Sequence, residues 1–205
     1  MSPNYSGFAL ASFAIAISPG ASWMYVITST AGYGRSGGLV AVAGNGLGIL
    51  THVVAALLGV ATVLQYSPNA FAVLKLIGVA YLLYLAIRTV RESTTVLAPD
   101  SHTAASYSRI FKGGVLVNAT NPKAALLMLA LLPQFVDVSS QDITTEILIC
   151  GLIHIAVASC VLSTLSFAAN LARNSLRNRN VDRMFRWTSA VILVGLGLKL
   201  AYASV

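Results

Sequence analysis

The chain has 205 residues, of which 57% are hydrophobic and only 9% charged, with a formal net charge of +7. Its length would allow a single soluble domain, but ordinary soluble proteins carry roughly 25% charged residues, so the composition excludes one. The apolar residues fall in runs of about 20, the length at which a helix crosses a bilayer core. The fold class is therefore all-α integral membrane, with six transmembrane helices.

The first span covers residues 5–31. Met1 to Gly34 holds no Lys or Arg, and Pro19-Gly20 sits where a signal peptide would need an unbroken apolar centre, so this span is retained rather than cleaved. In "AISPGAS" Pro19 removes a backbone donor and clashes with the carbonyl one turn earlier, while Gly20 adds backbone freedom. A broken helix is the expectation. Trp23 and Tyr25, one turn past the break, could wall a pocket, although core packing also accounts for them. The second span, 39–64, opens on "AGNGLGIL". Gly44 and Gly48 form a small-xxx-small pair that lets helices approach closely, and Asn45 between them can bond across helices. His52 lies inside this span. The third span, 70–90, carries Lys75 near one end, and a polar loop from Arg91 to Arg109 follows with Pro99 and many Ser and Thr residues.

The fourth span, 111–136, contains "VNATNPKAAL", in which Asn118, Asn121, Pro122 and Lys123 interrupt an apolar run. The Asn side chains can satisfy backbone groups that Pro122 releases, and non-helical backbone at this depth needs protein or a water-filled cavity around it. A helix that restarts at Pro122 points amide N–H groups and a partial positive charge into such a cavity. Lys123 lies eleven residues beyond Lys112, about 16 Å along a helix, which puts it near the midplane. A charge there costs about 2.5–3.5 kcal/mol even on the lenient insertion scale, so it needs a partner or water. One reading gives it a substrate carboxylate; the other makes it a kink residue bonded to carbonyls of the opposite break. The fifth span, 143–172, holds His154 and two cysteines, Cys150 and Cys160, whose spacing fits neither a CxxC pair nor a zinc site. The sixth span is 184–204.

Six spans place loops one, three and five on one side and both termini on the other. The first side collects Arg35, Arg88, Arg91, Arg109, Lys112, Arg173, Arg177, Arg179, Arg183 and Arg186, ten of the 13 basic residues. Basic residues flanking spans mark the cytoplasmic side, so both termini are expected outside. The charge is thus a topology signal, and nucleic acid is not needed to explain "ARNSLRNRNVDRMFR". Pro19 and Pro122 stand 103 residues apart, and His52 and His154 stand 102 apart. Each half therefore puts a proline in its first helix and a histidine one helix later. Three spans per half make the second copy an inverted one, and interrupted helices at corresponding places in inverted repeats point to a transport site. The single transmembrane domain, 1–205, divides into repeat one (1–90), a cytoplasmic loop (91–110) and repeat two (111–205). His52 and His154 are the midmembrane groups that titrate near neutral pH, which makes them candidate proton-linked residues; a lone buried histidine is more often simply packed and hydrogen-bonded.

These residues carry a likeness. The chain resembles the LysE/RhtB family of bacterial amino-acid exporters through "SPGAS", "GYGRSGGLVAVAGNGLG", "LKLIGVAYLLYLAIR" and "FKGGVLVNATNPKAALLMLALLPQFV". The last is the most specific, since Asn-x-x-Asn-Pro-Lys precedes Leu-Pro-Gln-Phe at a fixed distance. The resemblance implies a multi-pass protein of the bacterial inner membrane that drives amino acids or related solutes outward. Its proline-centred motifs fall on Ser18, Pro19 and Gly20 and on Asn118, Asn121, Pro122 and Lys123, which become the candidate substrate-binding residues. Two departures stand out: Pro19-Gly20-Ala21 replaces a frequent Pro-Gly-Pro, and "ICGLIHIAVASCVLSTLSF" lacks the acid that many members carry in span five. Proton coupling would then use His52, His154 or acids near the outer ends such as Asp137, or be looser.

The expected function is export of an amino acid or similar small zwitterion by alternating access, coupled to H+ or Na+, with the lipid bilayer and a small-molecule substrate as partners and homo-oligomerisation left open. No cofactor and no resident metal are expected, nor is an enzyme. A metal-ion or other small-solute exporter of the same architecture is the alternative, although four methionines without clustering make a poor cation path. A membrane-embedded scaffold or redox carrier is the alternative of another class; the missing CxxC and HExxH motifs stand against a redox or metalloenzyme role.

Overall fold

A computed structural model describes residues 3–66, 106–137, 140 and 142–171, together with isolated helical positions between 76 and 91 and between 187 and 201. The expectations for spans 70–90 and 184–204, for the loop after Arg91 and for the basic run after Leu171 fall almost wholly outside these residues. Among the described residues the structure is helical, with no strand. Lipid offers no partner for a backbone N–H or C=O, so apolar segments of this length bond within themselves.

Helix α1 (Tyr5–Ile17) begins at Asn4, whose side-chain Oδ1 accepts the Gly7 N–H at 2.8 Å. It stops at Ser18, and Ser18-Pro19-Gly20 form the expected break before α2 (Ala21–Tyr66). The 46 residues of α2 would measure about 69 Å as one straight helix, more than twice a bilayer core. Gly34 divides it, with φ 70° and ψ −170°, a conformation that suits glycine. A side chain built at Gly38 would run into the hydroxyl of Thr30, eight residues earlier, which a straight helix would hold about 12 Å away. The limbs 21–33 and 35–66 therefore fold back on each other. The expected loop between spans one and two is reduced to this one glycine.

Helix α3 (Tyr107–Ala119) ends in a break at Thr120 and Asn121, and α4 (Pro122–Leu126) resumes on an axis bent by 47°. It passes into a π-helical turn, Leu127–Leu131, and a 3-10 turn, Leu132–Gln134. Helix α5 (Ile143–Leu171) matches the expected fifth span to within a residue. By length and composition the limb-bearing Ala21–Gly59 and Ile143–Leu171 can each cross a membrane, and the bent pair of α3 with α4 can form a third crossing.

One buried cluster joins Phe8 and Ile15 of α1, Ile49 and Val53 of α2, the π turn and Ile147 of α5. A second joins Trp23, Val26, Ala41 and Val42 of α2 with Ile110 and Leu162. Large apolar side chains such as Leu10, Leu58, Leu116 and Leu152 point outward and are more than 60% exposed; on a membrane helix that is the face lipid covers. Close approach of α2 and α3 depends on small residues. A Cβ at Gly114 would lie 3.2 Å from the Gly44 Cα, and one at Gly48 would lie 2.7 Å from both Asn118 Cβ and the Val115 carbonyl. The small-xxx-small pair thus packs directly against the segment that carries Asn118.

Candidate functional site

The two breaks meet. Lys123 Nζ, at the start of α4, donates to the carbonyl oxygen of Ser18 in the break after α1. Gly20 leaves space for this contact: a Cβ there would stand 3.3 Å from Lys123 Nζ. The bond is the kink arrangement that the sequence allowed as the alternative to an open anion site.

Each proline leaves the carbonyl four residues before it without its helical donor. For Pro122 that carbonyl belongs to Asn118. It accepts the Asn121 N–H at 2.8 Å and a second bond from His52 Nε2 at 2.9 Å. Because a carbonyl only accepts, the His52 Nε2 carries a proton and donates it here. For Pro19 the carbonyl belongs to Ile15, and among the described residues it accepts only a long bond from Ser18 N at 3.3 Å. The next carbonyl, of Ala16, takes the Trp23 indole N–H at 2.7 Å. Trp23 therefore bridges the first break as well as packing beside it.

Asparagines and a serine complete the second break. Asn121 Oδ1 caps the Lys123 N–H at 3.1 Å, and the Asn121 carbonyl accepts from Ala124 N and Ala125 N, each at 3.1 Å. The amides of the α4 start are thus held locally and do not point into a cavity, contrary to the sequence expectation; the positive pole of the site is the Lys123 ammonium. Asn121 Nδ2 donates to Ser22 Oγ at 3.1 Å, and Asn118 Nδ2 donates to Ser22 Oγ at 3.3 Å and Asn45 Oδ1 at 3.2 Å. Ser22, at the end of "SPGAS", and Asn45 are members that sequence reasoning left outside the site. Their signal was present: each is a polar side chain at a helix-facing position beside a glycine-rich or proline-rich motif.

Between the breaks lies a cavity of about 30 Å³, lined among others by Ile15, Trp23, Asn118, Asn121, Lys123 and His154. Among the described residues, Asn118 Oδ1 and His154 Nδ1 are buried without a hydrogen-bond partner, as is the Ser18 hydroxyl nearby. Its wall is mainly apolar, with these polar groups set into it, and a space of this size beside polar partners has room for water. Of the candidate residues, Asn118, Asn121, Lys123 and His154 line it; Ser18 reaches it through its bond to Lys123, and His52 stands behind Asn118. Pro19 and Gly20 are half-buried and Pro122 is exposed, so they shape the breaks without lining the cavity.

Packed layers lie on both sides. On one, Phe8 and Phe135 meet edge to face with centroids 5.6 Å apart, and Asn4 N donates to Phe135 O at 2.8 Å. Glu146 is buried there and accepts the Asp137 N–H at 2.7 Å; it lies two turns before His154 on the same buried face of α5, about 12 Å away along the axis. On the other side, Tyr25 donates to Ile110 O at 2.8 Å, Thr30 and Ser166 share a buried bond at 2.9 Å, and the Arg35 guanidinium sits 3.9 Å over the Phe167 ring.

The pattern described as LysE type translocator matches residues 13–204. The homoserine/homoserine lactone efflux protein of Salmonella typhimurium is 33% identical over 159 residues, 76% of this chain and 75% of that protein. The leucine efflux protein of Salmonella choleraesuis is 26% identical over 200 residues, 97% of this chain and 94% of that protein. An uncharacterized membrane protein of Vibrio cholerae is 28% identical over 197 residues, 96% of this chain and 95% of that protein. No solved structure matches the chain at a significant level.

Proposed function

We infer that this chain, which belongs to the LysE type translocator family, exports an amino acid or related small zwitterion across the bacterial inner membrane by alternating access. The single observation that carries the reading is the contact of the two breaks, with the Lys123 ammonium on the Ser18 carbonyl beside a cavity that Asn118, Asn121 and His154 also line. A zwitterion has one pole for each member of that contact. Its carboxylate takes Lys123, and its ammonium takes the Ser18 carbonyl that Lys123 releases. The cargo thereby replaces a bond the protein makes within itself, so neither group is left buried and unpaired. Asn118, Asn121 and Ser22 supply further polar contacts, and Trp23, Ala158 and Leu162 an apolar wall.

Room for an amino acid requires the packed layers to part, one at a time. The matching prolines and histidines support two inverted three-helix repeats, 1–90 and 111–205, that rock against each other around the breaks. The charge asymmetry supports an orientation with the Arg35 layer toward the cytoplasm, the Phe8 layer outside and both termini extracytoplasmic. Coupling to H+ or Na+ would drive the cycle. For a proton the buried stripe from Glu146 to His154 supplies the titratable groups, with His52 beside the second break. The homoserine and leucine efflux relatives favour amino-acid cargo over a metal ion.

The test is Lys123→Met, which keeps much of the side-chain length and removes the charge. Overexpressing cells should release one or more amino acids to the medium, and the variant should lose this release while reaching the membrane in equal amount. Undiminished release by the variant would remove Lys123 from the site.

A further inference from the structure

The two histidines occupy corresponding places, yet they are in different states. Pro19 and Pro122 differ by 103 positions and His52 and His154 by 102, so the Asn118 carbonyl in one half corresponds to the Ile15 carbonyl in the other. Each is the acceptor its proline leaves without a helical donor. His52 bonds the Asn118 carbonyl at 2.9 Å. His154, 3% exposed, lines the same cavity as Ile15, but among the described residues its Nδ1 has no partner, and the Ile15 carbonyl has only the 3.3 Å bond from Ser18. One of two equivalent contacts is made, and the donor and acceptor of the other border one cavity.

We propose that His52 and His154 are paired positioning residues that cap, in alternation, the broken helix of the opposite half. The form described here has His52 on the Asn118 carbonyl. The oppositely facing form has His154 on the Ile15 carbonyl and His52 released. The assignment rests on the inverted-repeat exporter reading above. In an inverted repeat the two end states exchange the conformations of the halves, so a contact made by only one copy moves to the other copy when the protein turns over. Exchange of one imidazole–carbonyl bond for an equivalent one leaves the end states near balance, with one break capped by its histidine and the other without that cap in each.

The experiment reads the balance directly. In a Cys150→Ser, Cys160→Ser background, Ser12→Cys reports the Phe8 side and Ser166→Cys the Thr30 side; both serines are fully buried in the present form. A membrane-impermeant maleimide applied to right-side-out and inside-out vesicles measures the accessibility of each. His52→Leu should shift the ratio of the two labellings in one direction and His154→Leu in the other, each by about fivefold, the low end of ordinary coupling between sites. His→Gln, which keeps a donor at either place, should restore the parent ratio. Should a leucine variant not reach the membrane, His→Asn, polar but too short for the carbonyl, replaces it under the same criterion. Shifts of equal sign, or none, with amino-acid export by the parent intact, overturn the alternation and leave the exporter reading standing. A parent that exports no amino acid overturns both.

Discussion

Asn121 serves two structures with one side chain. Its oxygen caps the Lys123 amide and its nitrogen joins α4 to Ser22 of α2. An N-cap asparagine replaced by alanine costs about 1 kcal/mol, and loss of the buried bond to Ser22 adds about the same. Asn121→Ala should therefore lower the midpoint of denaturation in detergent and weaken export beyond the loss of protein, because the cap fixes where Lys123 begins. At this scale much of the site was legible. A proline beside asparagines and a lysine, in an otherwise apolar run, announces a break whose polar groups need partners. The identity of those partners was not legible. Which carbonyl His52 meets, and that Lys123 turns toward Ser18, depend on how helices far apart in sequence rotate against each other.

The elements carry the site because α2 and α3 approach closely enough for His52 and Asn45 to reach across. Gly48 sets that distance. A Cβ there meets Asn118 Cβ and the Val115 carbonyl at 2.7 Å, whereas one at Gly59, on the same helix, meets nothing within 4 Å among the described residues. Gly48→Val should destabilise the fold by about 1–3 kcal/mol, as overpacking does, and reduce export further by pulling His52 from the break. Gly59→Ala should be silent or stabilise by about 0.5–1 kcal/mol through helix propensity. Thermal unfolding of the two proteins side by side checks both. The spacing of Gly44 and Gly48 pointed to close packing, but not to the helix it packs on. The hairpin at Gly34 was legible as two spans, because 46 residues exceed one crossing; that the turn would shrink to one glycine was not. The π turn after α4 has no signal in "LMLAL" that local propensity distinguishes from ordinary helix.

For the whole molecule, the proposed alternating access has the layers on either side of the cavity open in turn. The Asn4 N–H donates to the Phe135 carbonyl at 2.8 Å, so these two neighbouring positions are the pair to test by cross-linking. Asn4→Cys with Phe135→Cys, in the background lacking Cys150 and Cys160, should export normally when reduced and stop when oxidised; undiminished export by the cross-linked protein would mean that this layer does not gate. The break after α1 offers a further handle. Trp23 shares its indole N–H with the Ala16 carbonyl while its ring borders the cavity, and the chain has only two tryptophans, the other being the exposed Trp187. Any solute that enters must change the polarity around that indole. With Trp187→Phe, the emission maximum and intensity of a single intrinsic fluorophore should change as homoserine or leucine is titrated in. The cargo can then be identified by spectroscopy on purified protein, with no transport assay and no attached dye.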